Sequence, residues 1–383
     1  MEAPFALTDH HVSWSPPRVV LYGAGTMGQT HLAAWTRLGS QVICVVDPRR
    51  EAGEALARTV GAHVCPNTAD ASRHAGEADV LDVSVPTFAH REVIASLPEG
   101  PRLAVLEKPM ERDPARAQAV VTAAEERGLS LFVAQVVRFF PGYRALHEEI
   151  LKRGPEAVHH VRMRRIGPPP HGTDNWFLDE NLSGGIFLDL LIHDLDFCLW
   201  TFGAPDRVIA RVARPPGSAM AGRFASRHAT AVLSYTGQRV IHLEGSWMFP
   251  GEFSTRVEVD AEWGTLLLDS EEDRSVRIFG TRAANDVQEL EPDEDTASTA
   301  RSGSHTRTRV PPSRHWDDPY TLELQAAVEA YRNGRPLPVT PREALRAVIL
   351  ADLCRRAAES REPLAWPHAA EAATDDPGAG VQR

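Results

Sequence analysis

The chain has 383 residues, enough for two or three domains with apolar cores. Hydrophobic residues make up 43% of it and charged residues 24%, which is typical of folded globular proteins and argues against a disordered or fibrous chain. The 52 acidic and 41 basic residues give a formal net charge of −11, which disfavours binding to nucleic acids and to anionic membranes.

The cysteines show no spacing that predicts a bound metal ion or a disulfide. They are Cys44, Cys65, Cys198 and Cys354, whereas zinc sites, redox dithiols and small disulfide frameworks use paired cysteines. The sequence does not open with a basic region followed by an apolar stretch, and it contains no run of eighteen apolar residues. We therefore expect a cytoplasmic protein with reduced cysteines, no metal ion and no membrane span.

Strand and helix patterns alternate over residues 17–136. Apolar runs typical of buried strands lie at 18–22, 41–46, 80–85, 103–106 and 129–136, with helical patterns between them. Strands that alternate with helices form parallel sheets that are covered on both faces. This region is therefore predicted to be an α/β domain.

From residue 137 the pattern changes. Helices are predicted at Pro141–Arg153, 185–202, 320–331 and Pro341–Ser360, and strand patterns follow one another at 229–235, 240–247, 256–261 and 265–268. Consecutive strands favour a largely antiparallel sheet, so residues 137–367 are predicted to form an α+β domain. The polar composition of residues 281–314 predicts a mobile insertion, and residues 368–383 are predicted to be a flexible tail.

The first strand ends in a glycine pattern, Gly23-Ala-Gly25-Thr-Met-Gly28, which opens a helix. Such glycines allow a tight turn and close approach of a pyrophosphate, which the amides at the helix start can bind. Asp47 follows nineteen residues later, where it can accept hydrogen bonds from ribose hydroxyls. This predicts a dinucleotide-binding Rossmann domain, although a turn without a ligand has the same local sequence. The predicted cofactor contacts here are Gly23, Ala24, Gly25, Thr26, Met27, Gly28, Asp47, Pro48 and Arg49.

Asp47 also favours one dinucleotide over the other. Its carboxylate would repel a 2′-phosphate, which favours NAD over NADP. Arg49 and Arg50 could instead bind that phosphate, or they could be solvated charges at a helix start. We expect NAD as the cofactor, with NADP possible.

Two loops at strand ends carry further polar residues. Pro86 and His90 follow one strand, and Glu107-Lys108-Pro109 follows the next; such loops face the ligand crevice of a parallel sheet. Only two of the 41 basic residues, Lys108 and Lys152, are lysines, which suggests that Lys108 is kept for its amine. The amine can donate a hydrogen bond to a reacting oxygen. The alternatives are a surface histidine and a solvated lysine.

The predicted helix at 185–202 carries a polar stripe in an apolar segment. Asp189, His193 and Asp196 are spaced i, i+4 and i+7 and would share one face. His193 is suited to accept a proton near neutral pH, and Asp189 could orient it and favour its charged form. A buried structural network is the alternative. A metal site is disfavoured because no third ligand accompanies the pair of His193 and Asp196.

Together these motifs resemble the glucose–fructose oxidoreductase, inositol dehydrogenase and rhizopine catabolism family of nucleotide-dependent oxidoreductases. The resemblance runs from Arg18 to about Pro367 and rests on GAGTMGQTH, the P-x-x-x-H of Pro86 and His90, EKP at 107–109, RFFPGY at 138–143 and SGGIFLDLLIHDLDF at 183–197. It implies that Lys108, Asp189 and His193 are catalytic. It also implies cofactor contacts at Ser84, Pro86, His90, Glu107, Lys108 and Gln135, and substrate contacts at Lys108, Arg138, Trp176, Asp189 and His193.

The resemblance further implies that the second domain is an open sheet whose outer face, too apolar for water, forms a homodimer or homotetramer. The chain departs from the family at Ser183 and Leu191, where glycine is common, although I-H-D-x-D at 192–196 resembles the inositol dehydrogenase branch. We expect a dehydrogenase that transfers a hydride between the cofactor and a secondary alcohol of a cyclitol or sugar. The alternatives are glycoside cleavage through transient oxidation and a non-catalytic protein that senses a sugar or the cofactor.

Overall fold

The computed structural model describes residues 14–100, 102–170, 173–213, 227–271, 276–280, 306–307 and 318–367. These residues form two units, each built on its own sheet. Apart from 306–307, the polar segment 281–314 and the tail 368–383 lie outside the described residues, so their mobility stays a prediction. The domain boundary at 136/137 also stays a prediction.

The first sheet is parallel throughout, which confirms the predicted α/β domain. Its strands are β1 (Arg18–Tyr22), β2 (Gln41–Val46), β3 (His63–Cys65), β4 (Val80–Val83), β5 (Arg102–Glu107) and β6 (Leu129–Ala134). They pair in the order β3-β2-β1-β4-β5-β6. The sequence analysis missed β3, because a strand of three residues is too short to show a periodic pattern.

Helices cover both faces of this sheet. They are α1 (Thr26–Arg37), α2 (Arg50–Arg58), α3 (Thr68–Glu77), α4 (His90–Ser96) and α5 (Pro114–Glu126). Asn67 caps α3 and Asp113 caps α5, each by accepting a backbone N–H of the first turn. The strands between the helices are almost wholly buried, so the surface open to a ligand lies at the strand ends and in the loops that follow them.

The second sheet is open and largely antiparallel, as predicted. Its strands in the described residues are β7 (Val158–Ile166), β8 (Arg207–Ala213), β9 (His228–Ser234), β10 (Val240–Ser246), β11 (Ser254–Ala261), β12 (Gly264–Asp269), β13 (Val276–Gly280), β14 (Thr306–Arg307) and β15 (Leu364–Ala365). They pair in the order β14-β13-β12-β11-β7-β10-β9-β8-β15. β7 and β10 pair in parallel, and the other neighbours are antiparallel.

The outer face of the second sheet is charged, so the prediction of an apolar face is wrong. Arg162 pairs with Glu258 at 2.9 Å, Arg256 pairs with Glu258 at 2.7 Å, and Arg164 lies 3.9 Å from Glu244. The apolar residues of β7 and β11 alternate with these charges and point to the helix-covered side. A solvated ladder of ion pairs therefore faces outward.

The helices of the second unit are α6 (Pro141–Arg153), α7 (Glu180–Ser183), α8 (Ile186–Asp189), α9 (Ile192–Phe202), α10 (Pro319–Arg332) and α11 (Pro341–Ser360). The predicted continuous helix at 185–202 is wrong, because the chain turns at Leu190 and Leu191 between α8 and α9. Both leucines are buried. Leu191 packs against Gly245 of β10, where a Cβ atom would lie 2.7 Å from the leucine Cγ. The turn thus places the Leu191 side chain against β10.

α10 returns to the first domain and packs against α1 and the end of β5. Side chains of α10 therefore lie under the loops that follow β4 and β5. Among the described residues, no helix has both the length and the apolar character needed to cross a bilayer.

Candidate active site

The glycine loop between β1 and α1 is shaped by close backbone contacts. Gly23 has a φ of 105°, and a Cβ atom there would lie 2.6 Å from the Ser84 carbonyl oxygen. A Cβ atom on Gly28 would overlap the Gly23 carbonyl oxygen. Gly25, by contrast, would place its Cβ in open space at the N-terminus of α1. The loop therefore leaves room for an anion at the helix start, and the residues present fit a bound dinucleotide.

Asp47 lies beside this loop, at the end of β2, but it is paired. Its carboxylate accepts hydrogen bonds from the Ala24 amide at 2.7 Å and from the Arg49 amide and guanidinium at 2.8–3.0 Å. Burial alone would raise the pKa of Asp47, but Arg49 and the two amides bring it below the usual value. A ribose hydroxyl at Asp47 would therefore share the carboxylate with Arg49. Arg50 points away and pairs with Glu54.

The remaining predicted cofactor contacts of the first domain lie around the glycine loop. Thr26 is exposed in the first turn of α1, Met27 and Pro86 are partly buried, and Pro48 is exposed beyond β2. Gln135, directly after β6, is buried, and its side-chain oxygen has no hydrogen-bond partner in the described structure. An unpaired buried acceptor of this kind fits a position that a ligand completes.

His90, another predicted cofactor contact, is buried among backbone carbonyl groups, and its contact with the cofactor stays a prediction. Its ring is buried, with Nε2 2.9 Å from the Val85 carbonyl and Nδ1 3.1 Å and 3.2 Å from the Pro109 and Met110 carbonyls. Burial lowers the pKa of His90, so the neutral ring donates from one nitrogen. With these contacts, His90 links the loop after β4 to the loop that carries Lys108.

A second buried histidine, His31 of α1, joins the ends of β4 and β5. Its Nδ1 lies 2.9 Å from an Asp82 oxygen and its Nε2 lies 3.1 Å from a Glu107 oxygen. Burial would lower the pKa of His31, but the two carboxylates hold it well above the usual 6.5, so the ring is an imidazolium. Trp35 and Ser84 also donate to Asp82. We call His31, Trp35, Asp82, Ser84 and Glu107 the buried brace.

The buried brace contains two of the predicted cofactor contacts, Ser84 and Glu107, and one residue that the sequence did not indicate. The Ser84 hydroxyl donates to Asp82, and the Glu107 carboxylate accepts from His31 and from the Lys108 amide at 2.9 Å. Both side chains thus belong to the brace, and their contact with the cofactor stays a prediction. The sequence analysis did not single out His31. Its position on the apolar face of α1, opposite an aspartate within an apolar strand, could have indicated a buried pair.

Glu323 of α10 is buried beside the brace. Neither of its carboxyl oxygens has a hydrogen-bond partner in the part of the chain described. Burial raises the pKa of Glu323 well above the usual value, and the negative charges of Glu107 and Asp82 contribute to the rise. Burial therefore favours the neutral form of Glu323, while the charge of His31 opposes part of the rise in its pKa.

Lys108 connects the two domains. Its ammonium donates to the Asp189 backbone carbonyl at 3.0 Å and lies 4.0 Å from the Asp189 carboxylate. The loop after β5 therefore contacts the last residue of α8. Burial raises the pKa of Asp189, and the charge of Lys108 opposes part of that rise.

His193, in the first turn of α9, has a buried Nδ1 atom with no hydrogen-bond partner among the described residues. Local burial, together with the charges of Lys108 and Arg165, holds the pKa of His193 well below 6.5. The expectation that Asp189 favours the charged form of His193 is therefore wrong: Asp189 is directed to Lys108. His193 is neutral and has a free lone pair at neutral pH.

Two arginines near the site are held in ion pairs. Arg138 donates to Asp196 at 2.8 Å through Nε and Nη2 and to Glu343 at 2.9 Å through Nη1. Its guanidinium is buried, and a contact between Arg138 and the substrate stays a prediction. Asp196, which accepts two of these bonds, is also buried. Arg165 forms a similar buried pair with Asp194.

Trp176 lies where the two domains meet. Its ring meets Phe88, in the turn after β4, edge-on with centroids 6.0 Å apart, and it stacks on Phe177 at 3.9 Å. The tryptophan thus contacts both domains. A contact between Trp176 and the substrate stays a prediction.

The geometry supports proton transfer next to a cation. A neutral imidazole, an ammonium and a carboxylate from two domains lie together at the carboxyl end of a parallel sheet, where ligands of such folds bind. The arrangement can accept a proton from a hydroxyl and stabilise the oxyanion that remains.

Comparisons with known proteins agree with this architecture. Residues 17–135 match the family model described as "Oxidoreductase family, NAD-binding Rossmann fold", and residues 154–365 match "Oxidoreductase family, C-terminal alpha/beta domain". Inositol 2-dehydrogenase of Rhizobium meliloti strain 1021 is 24% identical over 348 residues, which cover 90% of this chain and 98% of that protein. D-Apiose dehydrogenase of Paraburkholderia graminis is 25% identical over 355 residues, with 87% and 85% covered. The structure of levoglucosan dehydrogenase in complex with NADH is similar with a TM-score of 0.76 at 15% identity, covering 92% of this chain and 100% of that chain.

Proposed function

Because the chain belongs to the glucose–fructose oxidoreductase, inositol dehydrogenase and rhizopine catabolism family, we propose that it is an NAD-dependent dehydrogenase of a cyclitol or sugar. The observation that carries the proposal is the meeting of Lys108 and Asp189 across the two domains beside the unpaired, neutral His193. A sensing protein would have no need of this arrangement.

Each residue has a distinct task in the proposed reaction. His193 takes the proton of the substrate hydroxyl, which its low pKa allows because the ring is unprotonated at rest. The Lys108 ammonium stabilises the developing alkoxide, and Asp189 positions Lys108 through its backbone carbonyl and its carboxylate. NAD, which the glycine loop and Asp47 would hold, would supply the hydride acceptor when bound. Reduction of a ketone uses the same groups in reverse.

The proposed substrate class follows from the relatives together with the site. The matched proteins include an inositol dehydrogenase and an apiose dehydrogenase, and both substrates are polyhydroxylated rings or sugars with secondary alcohols. Trp176, at the domain junction, offers an aromatic face against which a sugar ring can pack.

A substrate screen tests the proposal. Purified protein is incubated with NAD or NADP and with cyclitols, aldoses, anhydro sugars, sugar phosphates and nucleotide sugars, while absorbance of the reduced nicotinamide is followed. We expect reduction of NAD by at least one cyclitol or sugar and loss of that activity in His193→Ala. Glycoside hydrolysis without net NADH would indicate transient oxidation instead. Binding of NAD without turnover of any compound would indicate a sensor.

We also propose a homodimer or homotetramer, as the family resemblance implies. The outer face of the second sheet carries ion pairs rather than apolar side chains, so subunits that meet there would associate through charges that salt weakens. Light scattering at micromolar concentration measures the mass. A mass near 42.0 kDa, that of one chain, would contradict the proposal.

A further inference from the structure

Three potential metal ligands converge under α3, away from the junction of the two domains. Cys44 of β2, Cys65 of β3 and His74 of α3 place their ligand atoms within 4.8 Å of one another. The two sulfur atoms are 3.3 Å apart, and Cys44 donates its S–H to Cys65. Both cysteines are buried and reduced, whereas His74 is partly exposed.

The fold explains why sequence spacing did not reveal this cluster. The ligands are separated by whole elements of a β-α-β-α unit, so they show none of the short spacing that marks zinc motifs. Parallel pairing aligns Cys44 with His63 and Val46 with Cys65. The side chains of Cys44 and Cys65 therefore project from the same face of the sheet, onto which α3 packs.

The donor set selects a class of metal ion. Two thiolates and one imidazole suit Zn²⁺ and related ions, with bonds of about 2.3 Å to sulfur and about 2.0–2.1 Å to nitrogen. Tetrahedral geometry with these bonds separates the ligand atoms by about 3.5–3.8 Å. The sulfur atoms, 3.3 Å apart, are slightly closer than this range, and no separation in the group exceeds 4.8 Å, so small side-chain rotations suffice.

A disulfide fits this geometry less well. Cys44 and Cys65 are diagonal neighbours on adjacent strands, and the strand spacing and the rise per residue place the Cα atoms of such neighbours about 8 Å apart. Disulfides need Cα separations of about 4.4–6.8 Å. The cluster also differs from the other two thiols, Cys198 and Cys354, which are buried in the second domain and belong to no such group of ligands in the described residues.

We propose that Cys44, Cys65 and His74 form a binding site for one Zn²⁺-like ion, with water in the fourth position. Binding replaces the two S–H protons, which leave to solvent, by two metal–sulfur bonds, and His74 binds through a neutral nitrogen. A divalent ion with two thiolates has no net charge, so the buried site holds no uncompensated charge. The partly exposed His74 provides the entry path.

The ion would cross-link β2, β3 and α3 next to the predicted ribose site. The Asp47 amide donates to the Cys65 carbonyl at 3.1 Å, so a ligand at Cys65 fixes the backbone that carries Asp47. We therefore expect metal binding to raise the melting temperature of the protein.

Cobalt provides a direct test, because thiolate–Co²⁺ bonds give a charge-transfer absorption band. Tag-free full-length protein is reduced, treated with a chelator and titrated with Co²⁺, and bound Co²⁺ is then displaced with Zn²⁺. We expect one Co²⁺ per chain, the thiolate band, and displacement by Zn²⁺. Cys44→Ala and Cys65→Ala should lose the band, and His74→Ala should weaken Co²⁺ binding at least 100-fold.

Matched variants separate this site from adventitious binding. Cys198→Ala removes an equally buried thiol and His242→Ala an exposed histidine, and both should bind Co²⁺ like the unmodified protein. His74→Ala lies on a helix surface and is expected to fold, so the test does not depend on the buried variants. The proposal is overturned if the protein does not bind stoichiometric Co²⁺, if the band persists without Cys44 and Cys65, or if His74→Ala binds normally. Native protein with Cys44 joined to Cys65 in a disulfide would also overturn it.

Discussion

Two histidines near the domain junction, His31 and His193, differ in how their buried nitrogen atoms are paired. On the first-domain side, His31, Asp82 and Glu107 are almost fully buried, and every ring nitrogen and carboxylate oxygen has a partner. On the second-domain side, His193 keeps a buried nitrogen without a partner within the residues described. Lys108 extends from the first side to the second.

The paired residues of the buried brace hold the geometry of the site, whereas the unpaired His193 is available for chemistry. A network whose members are all paired is rigid and fixes the strand ends on which it sits. A polar group left unpaired costs stability, which a bound substrate can recover. We therefore expect substitutions in the buried brace to lower stability and substitutions of the unpaired group to lower turnover.

The largest effect is expected from His31→Ala. It leaves Asp82 and Glu107 buried without their cation, and breaking a buried ion pair costs about 3–5 kcal/mol in the free energy of unfolding. Urea denaturation measures the loss, and His242→Ala, an exposed histidine, should stay within about 0.5 kcal/mol of the unmodified protein. Equal losses in the two variants would mean that the brace is not the stabilising element.

The milder substitution His31→Gln tests the same contribution if His31→Ala does not fold, and it also tests a pH dependence. His31→Gln retains one donor and should lose less than His31→Ala. Because the folded-state pKa of His31 lies above 6.5, its contribution to stability is complete below pH 6.5 and is lost as the pH rises through the raised pKa. The difference in stability between the unmodified protein and His31→Gln should therefore narrow at alkaline pH.

The second prediction concerns Lys108, which joins the two sides. Lys108→Arg keeps the charge but replaces a compact ammonium by a wide planar group, so we expect kcat to fall at least about 100-fold, or about 2.7 kcal/mol, with NAD affinity little changed. Steady-state rates and fluorescence titration of NAD measure the two quantities. Lys152→Arg changes the other lysine, whose side chain is 76% exposed, and should behave like the unmodified protein. Near-normal turnover in Lys108→Arg would make this lysine structural.

The third prediction concerns the unpaired side. His193→Ala should reduce kcat about 100-fold and leave the free energy of unfolding nearly unchanged, the opposite of His31→Ala. Because the pKa of His193 is below 6.5, oxidation by the unmodified enzyme should decline only at a pH below 6.5, and the variant should lose that decline. The double variant with Lys108→Arg should lose far less than the product of the single losses, since the groups act as one unit. If the activity already falls at a pH above 6.5 as the pH is lowered, and His193→Ala shows the same fall, His193 is not the base.

The sequence predicted those parts of the molecule that depend on neighbours along the chain. The glycine loop, the aspartate at the end of β2 and the strand-helix alternation are local patterns, and each was found as expected. The interpretation of Lys108, Asp189 and His193 came from motifs as well, and the contact of Lys108 with Asp189 is consistent with it.

Sequence reasoning failed where a residue's partner lies far along the chain. The motif around Arg138 gives no indication of its ion-pair partners Asp196 and Glu343, which lie 58 and 205 residues away. The charged outer face of the second sheet depends on register between strands, which periodicity does not supply. At the turn between α8 and α9, Leu191 likewise packs against Gly245, which lies 54 residues further along the chain.

The last prediction concerns Asp47 and Arg49 of the first domain. A bound ribose would have to share the Asp47 carboxylate with the Arg49 guanidinium. Asp47→Ser removes the carboxylate that repels a 2′-phosphate and frees the Arg49 guanidinium now bound to it, so the ratio of kcat/KM for NAD over NADP should fall about tenfold, or about 1.4 kcal/mol. Adding Arg49→Ala should reverse the gain with NADP, whereas adding Arg50→Ala should not, because Arg50 pairs with Glu54 on the surface. If the unmodified protein already used NADP better than NAD, Asp47 would not set the preference. In that case the Arg49 guanidinium would turn from Asp47 toward the phosphate, and the paired side of the junction would itself rearrange on binding.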